Sequence, residues 1–260
     1  MIRTRSAFLA TVLLSMASAL ALTAAPAAVA APEECVGALT GTHENVVVPS
    51  GAHCEMSAAM VNGNVLVRAG ASLRASASQI SGNVIGQDSA FVCLQFGSQL
   101  GGNFDVRGGA LHTTSGFDIN VMVAGNARVT QNAGLTFIDA AHVGGNVDVS
   151  SNTGTLEIEF NTIGGNVKIA DNVVPPVYTG GPATPGPGGC GVPTSFILQV
   201  GGMSDIFNTL PASNMHVINN TGSGSKTVAR NTVKNITCVN NDPPFVGGPN
   251  TADHAVGQCF

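Results

Sequence analysis

Val123-Ala-Gly-Asn-Ala-Arg-Val-Thr (123–130), Val143-Gly-Gly-Asn-Val-Asp-Val-Ser (143–150) and Ile163-Gly-Gly-Asn-Val-Lys-Ile-Ala (163–170) are one phrase written three times at constant spacing. The phrase extends upstream as Val61-Asn-Gly-Asn-Val, Ile80-Ser-Gly-Asn-Val and Leu100-Gly-Gly-Asn-Phe. Asn64, Asn83, Asn103, Asn126, Asn146 and Asn166 thus each follow a glycine, at intervals of 19, 20, 23, 20 and 20 along the chain. Self-similarity at a fixed period of this size is the signature of stacked repeats. Within each unit the chain alternates. Asn+1 is Val65, Val84, Phe104, Ala127, Val147 or Val167, and Asn+3 is Val67, Gly86, Val106, Val129, Val149 or Ile169. Period two means strand, with these positions inward. The position between them reads Asp105, Arg128, Asp148, Lys168, an alternation of sign that neighbouring parallel strands favour.

The expected fold is all-β: a single right-handed parallel β-helix of about nine or ten rungs, on the order of 45 Å long at strand spacing. The Gly-Asn pairs are expected where the chain turns, because both residues tolerate left-handed backbone angles. The asparagines are expected to stack as an amide ladder, and Asn132, Asn152 and Asn172 form a second such column. The weaker units Val217-Ile-Asn-Asn and Cys238-Val-Asn-Asn continue the pattern and place Asn235 in the first column. Residues 173–193 are rich in Pro and Gly and read as an excursion loop. Residues 243–260 read as a capping tail, needed because an open terminal rung invites edge pairing.

Residues 1–30 read as a signal peptide: Arg3 and Arg5, an apolar run from Ala7 to Leu22, then Ala28-Val29-Ala30 before a cleavage point. This makes 31–260 the mature β-helix, secreted or associated with the cell envelope. Loss of Arg3 and Arg5 lowers the basic count from 10 to 8 against 15 acids, a net charge near −7. That balance argues against nucleic acid and anionic membranes as partners. All six cysteines, Cys35, Cys54, Cys93, Cys190, Cys238 and Cys259, follow the signal, and three disulfides are expected. The working connectivity is Cys35 with Cys54, Cys238 with Cys259 and Cys93 with Cys190, so that both ends are stapled.

The Gly-Gly-Asn-Val units, with the ending Asn-Ile-Thr-Cys-Val-Asn-Asn-Asp-Pro-Pro-Phe (235–245) and Gly-Gln-Cys (257–259), resemble secreted actinobacterial parallel β-helix proteins of unknown function. The central repeats, about 61 to 172, are similar in style to bactofilins, polymer-forming β-helices. The resemblance implies the fold. It does not imply intracellular filaments, since bactofilins usually lack a signal peptide and disulfides.

Extracellular β-helices often act on polysaccharides, and a glycosidase needs paired carboxylates. The best cluster is Asp139, Glu157 and Glu159: the two glutamates share a strand face, and Asp139 falls one rung before Glu159. No Arg or Lys lies near them in sequence, and aromatic residues are 5% of the chain, so exposed strand carboxylates are the plainer reading. The histidines His43, His53, His112, His142, His216 and His254 fall in different repeat phases and form no metal motif. No C-x-x-C pair and no calcium-coil nonapeptide occurs, so neither a metal nor a cofactor is expected. No G-x-S-x-G turn appears, and Leu210-Pro-Ala-Ser-Asn reads as a loop. The leading expectation is a secreted non-enzymatic structural or surface-binding scaffold whose partner is cell-wall or extracellular polysaccharide, or further copies assembled laterally. The alternative is a carbohydrate-binding or carbohydrate-active β-helix using the acidic cluster or the loop around Tyr178.

Overall fold

A computed structural model describes residues 31–109, 114–118, 120–154, 156–173, 204–222, 226–228, 231–247 and 249–259. The expected signal (1–30), nearly all of the 173–193 loop, His112, Tyr178 and Cys190 lie outside the described residues. Residues 31–260 belong to one compact unit. The described residues contain strands and no helix, and every strand pairing is parallel.

Register proves the stacking. One file of paired positions runs Glu33, Val46, Val65, Val84, Phe104, Ala127, Val147, Val167, Met215, Ile236, Ala255. Eight of its ten steps are regular turns; the exceptions are the short first step from Glu33 to Val46 and the long one from Val167 to Met215. The long step contains the excursion, and the chain re-enters in register at Met215. Each central coil contributes a strand to three walls. The first holds strands such as Val147–Ser150, the second strands such as Leu135–Asp139, and the third two-residue strands such as His142–Val143.

The interior is the expected one. Val65, Val84, Phe104, Ala127, Val147 and Val167, with Val67, Val106, Val129, Val149 and Ile169, are at most 1% exposed. Burial of each large aliphatic is worth roughly 1.5–3 kcal/mol, and the repeated file makes this the main force on the coil. Gly86 occupies one inward slot because a Cβ there would come within 2.9 Å of Ser89 Oγ and 3.0 Å of a Val92 methyl.

The glycines before the ladder asparagines have a different reason from the one expected. Gly63, Gly82, Gly102, Gly125, Gly145 and Gly165 are absent from the left-handed region. A Cβ on any of them would overlap the coil below, at 2.2–2.7 Å from an asparagine Oδ1. Glycine is required by the closeness of the ladder, not by φ. Left-handed residues sit instead at other corners, where Gln131, Ser151, Asp171, Asn219 and Asn240 each precede a member of the second asparagine column.

That second column is Asn132, Asn152, Asn172, Asn220 and Asn241, all buried. Asn152 Nδ2 donates to Asn172 Oδ1 (3.0 Å) and to the Val129 carbonyl (3.1 Å), while Asn172 Oδ1 also accepts from the Asn152 backbone N–H (2.9 Å). Asn172 and Asn220 repeat the pattern. Buried amides are tolerable because each bond is satisfied.

Cys35–Cys54 and Cys238–Cys259 are disulfides near the two ends, and all four sulfurs belong to buried residues. Cys35 and Cys54 are not stacked in one file: Cys54 pairs with Gly37 and Leu73, whereas Glu34 pairs with Val47. Cys93 is disulfide-bonded too, and its expected partner Cys190 lies outside the described residues. The tail covers its neighbour by becoming a further rung, because Thr251–Gly257 lies in parallel register on Thr232–Val239. Leu210-Pro-Ala-Ser-Asn, expected as a loop, lies within the strand Ser204–Ile218, whose register shifts between Leu210 and Asn214.

Candidate functional site

Two surfaces stand out, on different walls. The first follows the repeat asparagines. Asn64, Asn103, Asn126, Asn146 and Asn166 are exposed, and Asn83 partly so. Asn126 Oδ1 accepts from the Asn146 backbone N–H at 2.8 Å and from Asn146 Nδ2 at 3.0 Å. Asn64, Asn83, Asn103 and Asn166 do the same toward the coils above them. Because a backbone N–H can only donate, these contacts fix which end of each amide is oxygen. The ladder begins at Asn45 and reaches Asn214 and Asn235. Its sense is opposite to that of the buried column, where the oxygen of the later coil accepts from the earlier one.

Beside this ladder, on the third wall, runs an open trough of about 400 Å³. One bank is Gln79, Gln99, Met122 and His142, stacked in register and exposed. The other is Ser81, Gly101, Ala124 and Gly144, nearly bare of side chains. The bank's file continues through Thr162, Thr209, Thr232 and Thr251.

The second surface is the acidic cluster. The backbone register pairs Asp139 with Glu159, and Phe137 with Glu157, as the repeat predicts. It also pairs Glu157 with Asp205, which the sequence did not signal because the excursion hides the spacing. Asp139 is half-buried. Its Oδ1 is buried without a hydrogen-bond partner, and burial raises its pKa against the opposing backbone bond from Ala140. This wall is unusual in that outward positions are buried as well: Arg74, Cys93 and Phe137 are at most 9% exposed. Arg74 lies over the Phe91 ring at 5.6 Å, a cation–π contact.

The outward charge file on the first wall is in the expected register, Asp105 with Arg128, Arg128 with Asp148 and Asp148 with Lys168. Asp148 lies 3.9 Å from both Arg128 and Lys168, while Asp105 pairs with Arg107 in its own strand at 2.9 Å. Among the described residues the histidines stay apart: His142 lines the trough, His216 continues the charge file and His254 pairs with Asn235. His43 is part of the N-terminal rung, 2.6 Å from Glu33. Among the described residues no three His, Cys, Asp or Glu side chains are grouped to hold a metal ion. Neither a protein-family model, nor a curated protein, nor a solved structure matches the chain.

Proposed function

We propose that this chain is an exported, non-enzymatic β-helix scaffold that binds an extracellular or cell-envelope surface along one wall. The observation that carries the reading is the exposed asparagine ladder, an unbroken file from Asn64 to Asn166 with an open trough beside it. Such a file runs along six successive coils, which suits adhesion to an extended surface more than enclosure of a small substrate. Bonded cysteines at both ends favour an oxidising compartment, as does the expected signal at 1–30. The resemblance to secreted actinobacterial β-helices agrees with export. Co-sedimentation of the purified protein with cell-envelope material tests the reading, with light scattering of the protein alone as a check for lateral assembly. The reading expects one or both; a protein that stays in the supernatant and remains monomeric at high concentration contradicts it.

One observation favours the carbohydrate-active alternative. A carboxyl group whose pKa is raised by burial, with a second acid one coil away in register, is the arrangement of a general acid and its partner. Release of reducing ends from polysaccharide, abolished by Asp139→Asn, would establish it; no release from a broad substrate panel would remove it.

A further inference from the structure

Outward residues of the second wall are far less accessible than those of the other two. On the first wall the side chains of Asp105, Arg128, Asp148 and Lys168 keep 30–49% of their surface, and on the third Met122 keeps 50%. On the second, Arg74, Cys93 and Phe137 share one outward file, joined through Gly116, and keep at most 9%. Phe91 and Leu135 pack against Cys93 and Phe137. A single layer of sheet cannot cover its own outer face, so burial of this kind requires a second layer. The described strands all belong to the coil itself.

Cys93 identifies the part of the chain that supplies the layer. It is disulfide-bonded, and Cys35–Cys54 and Cys238–Cys259 use four of the other five cysteines. Cys190 is the one that remains. It falls within residues 174–203, a stretch without a single Asp, Glu, Lys, Arg or His, with six prolines and the apolar run Phe196-Ile-Leu-Gln-Val. A run of that kind left in water would be an exposed apolar patch. Proline removes backbone donors, so the stretch is poorly suited to extend a sheet, whereas it can lie across a sheet face whose own backbone groups are paired in the ladders.

The reach is sufficient. The excursion departs after Val173 and returns at Ser204, which pairs with Leu156 at the start of the second wall. From Asp205 the outward file passes Glu157, Phe137 and Gly116 to Cys93, four pairings or about 19 Å away. Even the shorter limb, 191–203, extends to about 40 Å. Each limb must cross the coils that carry Asp139, Glu157 and Glu159 on its way to Cys93.

We infer that residues 174–203 form an outer layer on the second wall, anchored by a Cys93–Cys190 disulfide, with the Phe196–Val200 run seated over Leu135 and Phe137. This wall is then an interface of the chain with itself. The coils of the acidic cluster lie under it, which leaves the asparagine ladder and the trough beside it as the open surface. The inference stands independently of the surface-binding reading.

Peptide mapping of the full chain under non-reducing conditions should join Cys93 to Cys190. Hydroxyl-radical footprinting of the same protein gives a second readout, with Phe96, 46% exposed, and Phe104, fully buried, as open and closed references. After correction for intrinsic reactivity, Phe196, Ile197 and Leu198 should be labelled as slowly as Phe137 and well below Phe96. Replacing 174–203 by a short Gly-Ser linker, together with Cys93→Ser, should raise labelling of Phe137 about fivefold, as its exposure goes from 9% toward the 46% of Phe96. Phe104 should stay protected, and sedimentation with envelope material should be unchanged. Cys93 bonded to another partner, Phe196 to Leu198 labelled at the rate of Phe96, or Phe137 still protected in a linker variant that protects Phe104 would each overturn the inference. Where the linker variant labels Phe104 it has unfolded, and the two measurements on the intact chain decide.

Discussion

Replacing Gly145 by alanine would place a Cβ 2.6 Å from Asn126 Oδ1 and 2.7 Å from the Gly125 carbonyl oxygen. The asparagine can swing away, but it then gives up the bonds it accepts from Asn146 N–H and Nδ2. Two such bonds are worth about 1–3 kcal/mol together. The carbonyl belongs to backbone and cannot swing, so residual overlap adds roughly 1–3 kcal/mol. Loss of unfolded-chain entropy returns about 0.4–1 kcal/mol, which leaves a net destabilisation of about 3 kcal/mol. Gly97 is the control, because its φ is +74° and a Cβ there would meet nothing within 4 Å. Gly97→Ala carries only the left-handed penalty, about 1–2 kcal/mol. Urea unfolding of the two variants therefore ranks the glycine with ordinary φ as the more sensitive. In an Asn126→Ala background the Gly145→Ala cost should shrink by about 1 kcal/mol, since the oxygen it strikes is gone. Equal losses, or a larger loss at Gly97, would refute close approach as the reason for the Gly-Asn phrase.

Asn152→Ala in the buried column should cost about 2–4 kcal/mol because it strands the Asn132 N–H away from water and removes the side-chain donor to the Val129 carbonyl, whereas Asn126→Ala on the exposed ladder should cost about 1 kcal/mol. Chemical denaturation of both variants checks the difference. His43 lies between two acceptors, the Glu33 carboxylate at 2.6 Å and the Thr40 carbonyl at 3.0 Å, which the imidazolium satisfies with both ring N–H groups. Its pKa is raised above 6.5, chiefly by the Glu33 bond, so the stability it supplies is complete below 6.5 and is lost as pH climbs through the folded value. Amide exchange at Glu33, whose N–H donates to the Asn45 carbonyl, should quicken above that pH by about two- to five-fold relative to Val147, and Glu33→Gln should erase the change. Asp148→Asn, which keeps an oxygen to accept from Ser150 Oγ at 2.7 Å, should change stability by less than about 0.5 kcal/mol, since the charged partners at 3.9 Å are exposed, and thermal melts at two salt concentrations would check this.

Much of the fold was legible because the repeat is rigid. A file that recurs once per coil, with apolar positions on either side of an outward one, has one economical solution, and the register follows it from Val65 to Val167. Asn235 and Asn220 were also readable, each from a weaker echo of the unit. Asn214 was not, because Ser213 stands in the glycine slot and the excursion separates it from Asn166, the ladder member before it. The physical role of the glycines was misread, since spacing reveals that glycine recurs but not what its missing Cβ makes room for. Of the candidate site, the pairing of Asp139 with Glu159 followed from phase alone, whereas Asp205 lay beyond the excursion and had no phase to read. The sense of the ladder, each oxygen accepting from the coil above, could not be seen in sequence either, because it depends on which atom of each amide points up the coil.

Coils far apart in sequence lie in register as one column, even across the excursion. Asp105 and His216 stand on opposite sides of it in the chain, yet four pairings, through Arg128, Asp148 and Lys168, link them on one outward file. Spin labels on cysteines placed at these two positions should therefore report a single narrow distance of about 19 Å, four strand spacings. A broad distribution, or a distance beyond about 30 Å, would mean that the chain does not return to its own file after the excursion.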